Sequence, residues 1–128
     1  MRILKNLGLY VTVGACLMAL VAISGESAVA RPKYASTMTK QYPDLAKKHG
    51  KNGKLSCAVC HPVSSKKKRN NYAVAVGKNL GKKNQTDEEK IKEALVKAEK
   101  EKSHVEGKTF GDLIEAGELP GSKEVANE

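Results

Sequence analysis

The 128-residue sequence has no Trp and a single Phe, Phe110, and aromatic residues of all kinds make up 4% of it. It therefore lacks the interleaved aromatics on which unpaired bases stack, and its net charge of +9 does not read as a nucleic-acid surface. Cysteine is scarce too: Cys16, Cys57 and Cys60 are the full set. Cys16 sits in an apolar N-terminal run, so one close pair remains and no cysteine is left for a structural disulfide. Large apolar side chains are thin. From Arg31 onward Leu, Ile, Val and Phe total 16 of 98 residues, while 21 Lys and Arg face 13 Asp and Glu, a net +8. Composition alone would suggest disorder. No stretch alternates polar and apolar residues as a half-buried strand does, and no internal repeat is present.

The one long hydrophobic run, Leu7 to Ile23, follows a basic start (Met1-Arg2-Ile3-Leu4-Lys5) and precedes Ala28-Val29-Ala30. This is the layout of an export signal, and cleavage is expected after Ala30. A run of about 17 residues also lies at the lower limit for a membrane anchor. Val13-Gly14-Ala15-Cys16 loosely resembles a lipoprotein cleavage box, although apolar sequence continues past Cys16. Membrane attachment is thus expected only if the signal stays on or Cys16 is lipidated. The expected location is periplasmic or secreted.

Beyond the signal, residues 31–41 are polar and read as a flexible lead-in. A helical domain is expected over 42–120, and a polar tail over 121–128. Pro43 and Gly50 bracket a short first helix, and any helix entering from before Pro43 would kink there. Lys66 to Leu80 reads as a second helix, with Tyr72, Val76 and Leu80 on one face. Thr86-Asp87-Glu88-Glu89 reads as a capping box for a third, with Thr86 as N-cap and an Ile91/Ala94/Leu95/Ala98 stripe, ending near Lys102-Ser103. Thr109-Phe110-Gly111-Asp112 repeats the cap before Leu113 and Ile114, and Gly117 is a stop. The expectation is an all-α domain of about four short helices.

Cys57-Ala58-Val59-Cys60-His61 carries the chemistry. Two cysteines three apart, followed at once by histidine, form the attachment pattern of c-type haem. On a helical turn both thiols share a face and reach the two vinyl groups of one porphyrin, and the imidazole of His61 reaches the iron. Pro62 limits that turn to a single one, because proline disfavours helical geometry in the residue before it. A large apolar cofactor would also supply the core that the composition lacks.

Through these five residues the chain resembles the c-type cytochromes, and loosely the small class I cytochromes c. The resemblance implies a small cytochrome c-like domain around one covalent haem c, held by Cys57 and Cys60 with His61 as proximal ligand. It implies a monohaem carrier of single electrons between redox partners; the sequence offers no catalytic base beside the motif, so no enzyme is expected. It also implies a methionine downstream of the motif, and none is there. His104 is the first candidate distal ligand, with Met38 and His49 as weaker alternatives. Lys66, Lys67, Lys68 and Arg69 are expected to dock acidic redox partner proteins or to contact the haem propionates. The protein is expected to be a monomer. Two other readings stay open: a haem module with an open axial site that binds or senses small ligands, and a non-haem structural metal domain built on the same Cys and His residues.

Overall fold

The computed structural model describes residues 30–127, with side chains from residue 33. The expected signal, including Leu7 to Ile23 and Cys16, lies outside the described residues apart from Ala30. The described chain is helical: α1 (Ala30–Gln41), α2 (Pro43–His49), a 3-10 turn (Cys57–Val59), α3 (Asn71–Asn79), α4 (Glu88–Glu99) and α5 (Phe110–Glu115). Among the described residues there is no strand, only the isolated bridges Lys51–Lys54 and Lys102–Thr109. The all-α expectation holds. No helix among these residues is long and apolar enough to cross a membrane.

The lead-in is a helix, which corrects the reading of residues 31–41 as flexible. α1 has no apolar stripe for a sequence pattern to detect, and it is held by partners distant in the chain. It buries Thr37 and Met38 and packs on α4, and Lys40 pairs with Glu88 at 2.7 Å. The Tyr42 N–H donates to Met38 O at 2.9 Å and the Ala46 N–H to Tyr42 O at 3.0 Å. α1 and α2 are thus nearly one helix, interrupted where Pro43 has no N–H to donate. α2 ends at Gly50, where only glycine fits because a Cβ there would run into the carbonyls of Ala46 and Lys54.

Two helix starts also differ from expectation. α3 begins at Asn71, not at Lys66. The Asn70 side chain accepts from the Ala73 N–H at 3.0 Å, so the cap falls here and the basic run before it is loop. α4 is capped by Asp87, not Thr86. Gln85, which is buried, accepts from the N–H groups of both Thr86 and Asp87, which fixes the approach one residue later. Asp87 then accepts from Glu89 and Lys90 at 3.0 and 3.3 Å. α4 stops at Glu99, short of Lys102, where the bridge to Thr109 takes over. The cap of α5 is as expected: Thr109 N–H donates to Asp112 Oδ2 at 2.7 Å and Asp112 N–H to Thr109 Oγ1 at 3.2 Å.

α4 is the hub. It touches α1, α3 and α5, and its stripe of Ile91, Ala94, Leu95 and Ala98 is wholly interior. Ala94 and Ala98 of α4 and Ala73 and Ala75 of α3 are buried, and these two helices are in contact. Tyr72 and Phe110 meet edge to face at 5.2 Å between ring centroids. Burying Ile91 and Leu95 stabilises the fold by about 1.5–3 kcal/mol each. α1 and the 3-10 turn are also in contact, so the motif rests against the first helix.

Candidate haem-attachment site

Ser56 starts the motif turn, its Oγ accepting from the Ala58 N–H at 3.3 Å. Within the turn Cys57 O accepts from Cys60 N–H at 3.2 Å and from His61 N–H at 2.9 Å. Residues three apart eclipse one another in 3-10 geometry, so Cys57 and Cys60 leave the backbone on one side. Val59 is buried, while Ala58 is exposed. Both cysteines are unpaired and half-buried, and Cys60 packs against the core. Burial pushes the Cys60 thiol up to about 12, and the neighbouring Cys57 adds to the shift.

His61 follows the turn, half-buried, with Nδ1 2.9 Å from the carbonyl oxygen of Lys68. A carbonyl only accepts, so Nδ1 carries a proton, and in the neutral ring the lone pair is then on Nε2. A metal-ligating histidine is normally held this way, with one ring nitrogen on a backbone carbonyl and the other directed at the metal. Among the described residues no three His, Cys, Asp or Glu side chains converge as ligands of one metal ion would. Haem does not ask for convergence, because its two vinyl carbons and its iron lie apart.

Asn70 organises the site, and the sequence reading passed over it. It is buried at 1% exposure. Its Nδ2 donates to Val59 O at 2.8 Å and to Ser122 O at 3.3 Å, while its backbone N–H donates to Cys60 O at 3.0 Å. With Oδ1 capping α3, one side chain ties the motif turn, a helix start and the C-terminal segment together. That segment is more than a polar tail. Ser122 N–H donates to Asn71 Oδ1 at 2.8 Å, and Ala126 N–H to Arg69 O at 2.8 Å. Gly121 lies so close to Asn70 that any Cβ would collide with its amide. An Asn followed by a helical pattern is an N-cap signal, so the cap was readable, but the reach to Val59 and Ser122 was not.

The expected basic residues lie in the loop that leaves the motif. Lys66, Lys67 and Lys68 are exposed; Arg69 is half-buried, its guanidinium covering Gly77. The distal candidates are scattered. His104 is exposed in the loop between α4 and α5. His49 is exposed at the end of α2, with Nε2 2.9 Å from Gly117 O. Met38 is 3% exposed and belongs to the core cluster that contains Val59 and abuts Cys60.

A polar string runs from the core toward the motif. Tyr42 Oη donates to Glu99 Oε1 at 2.6 Å. The Tyr72 hydroxyl is buried beside that of Tyr42. Burial raises the pKa of both tyrosines, and Cys60 adds to the effect on Tyr72. Two free thiols on one turn and an imidazole held by Nδ1 are a donor set that fits haem. No protein-family model matches the chain, and neither does any curated protein or any solved structure.

Proposed function

We propose that this is an exported monohaem c-type cytochrome that carries single electrons between redox partners. The observation that carries the reading is the His61 imidazole, tied by Nδ1 to the Lys68 carbonyl one residue beyond a CxxC turn with both thiols free. Cys57 and Cys60 would hold the haem as thioethers and His61 would be the proximal ligand. The haem, when bound, supplies an iron that cycles by one electron. The chain's own part is to orient the imidazole, to shield the turn through Val59, and to present cations where a partner docks.

For the sixth position His104 was the first choice from sequence. Met38 is favoured because it is buried in the core cluster that contains Val59 and abuts Cys60, whereas His49 and His104 are exposed. A methionine ligand raises the potential relative to a second histidine.

The test is the absorption spectrum of the chain made in a host that attaches haem. Sharp low-spin bands in both oxidation states are expected, and Met38→Leu should convert them to a high-spin spectrum while His104→Ala leaves them unchanged. A wild-type high-spin spectrum that shifts with carbon monoxide would make the protein a ligand-binding module. Absence of a Soret band would remove the haem reading.

A further inference from the structure

The surface around the motif turn has the composition of an interface. Ala58 and Val63 are exposed, and Val63, at 46%, is one of two large exposed apolar residues among those described. Lys66, Lys67 and Lys68 follow directly and are exposed. Lys123, also exposed, borders a hollow of about 280 Å³ that Ala58, Val59 and Pro62 help to line. None of the chain's 14 acidic residues lies between Leu45 and Thr86, a stretch that holds 11 Lys and Arg. The C-terminal segment, which is bonded to Arg69 O through Ala126 N–H, carries one acid among its described residues, the exposed Glu124. An apolar centre with a rim of one charge sign is how docking surfaces are built.

Lys68 joins this surface to the site. Its ammonium is in solvent, and its carbonyl holds His61 Nδ1 at 2.9 Å. The loop is closed at its base by Asn70 N–H on Cys60 O at 3.0 Å, with one turn inside it, Lys68 N–H on Ser65 O at 3.1 Å.

We propose that this surface docks an acidic protein partner and that docking is read out at His61 through the Lys68 carbonyl. The electrochemical consequence rests on the haem reading; the link from loop to imidazole does not. An exposed loop with few internal bonds opens easily, and a partner that orders it makes the Lys68–His61 hydrogen bond more persistent. A more basic imidazole favours the oxidised iron. Neutralising the lysines acts in the same direction. The docked protein gives up its electron more readily, and the partner takes it.

Polyglutamate is the probe, titrated into the haem-loaded chain at low and high salt. Nuclear magnetic resonance follows exchange of the His61 Nδ1 proton, and spectroelectrochemistry follows the midpoint potential. Binding is expected at low salt and should be lost at high salt and in K66Q/K67Q/K68Q, whose substitutions lie in an exposed loop. On binding, ring-proton exchange should slow and the potential should fall. Absence of binding overturns the docking surface, and equal binding of an RNA homopolymer overturns its assignment to a protein partner. Binding with unchanged or faster ring-proton exchange overturns the relay, because a fall in potential alone is what Coulomb attraction gives. If the chain takes up no haem, the proposed function fails, and ring-proton exchange in the same titration still decides the relay.

Discussion

Asn70 shows how much one side chain can decide. Its amide is asymmetric: Oδ1 must accept from Ala73 N–H, and Nδ2 must donate to Val59 O and Ser122 O. Asn70→Asp keeps the acceptor, and so the cap, but sets a carboxylate oxygen against two carbonyls. It should therefore destabilise by at least the about 1–3 kcal/mol of a stranded buried acceptor at Val59. Asn70→Ala loses that and the cap, worth about 1 kcal/mol more. Urea denaturation measures both; an Asn70→Asp protein as stable as the parent would show that Nδ2 holds nothing. His61 was legible at this scale from its place after Cys60 alone. Its orienting partner was not, because Lys68 reaches it through a backbone carbonyl, and every residue has one.

At the scale of elements, α5 was written most plainly, since a Thr and an Asp three apart are sufficient to build its cap. The N–H and hydroxyl of Thr109 hold the Asp112 carboxyl below the usual carboxylate range. A depressed folded value means that the contribution is present above the unfolded value and is lost as pH falls through the folded one. The melting temperature of the parent should therefore fall in acid more steeply than that of Asp112→Asn, and equal slopes would remove the capping contribution. Thr109→Ala should cost about 0.5–2 kcal/mol at neutral pH. The stripe of α4 was equally legible, because period and burial coincide at Ile91, Ala94, Leu95 and Ala98. α1 was missed since nothing in its own sequence calls for a helix. Its order comes from Glu88, from the packing of Met38, and from a shared hydrogen-bond ladder across Tyr42.

The whole molecule is small, and much of its core is alanine. Domains of this size with few large apolar residues usually need a staple. Replacement of both Cys57 and Cys60 by Ala should accordingly cost far more than two half-buried side chains would, and circular dichroism should show helix lost at moderate temperature. A double variant that melts with the haem-loaded parent would deny the haem a place in the fold. Charge is divided along the chain as well. The acid-free stretch from Leu45 to Thr86 carries the motif, and 12 of the 14 acids follow from Asp87 onward. On the proposed reading this asymmetry is what an acidic partner would meet, and its influence should fall with salt.

The sequence by itself determined the motif, its termination at Pro62, the stripe of α4 and the cap of α5. Each is set by residues within one or two turns of one another, where spacing and hydrogen-bond chemistry suffice. The tertiary structure alone decided that residues 30–41 are helical, that Asn70 clamps the motif to the C-terminal segment, and that Lys68 presents its carbonyl to His61. Those contacts join residues far apart in the chain, or use backbone groups that carry no side-chain identity. Local pattern holds no record of either.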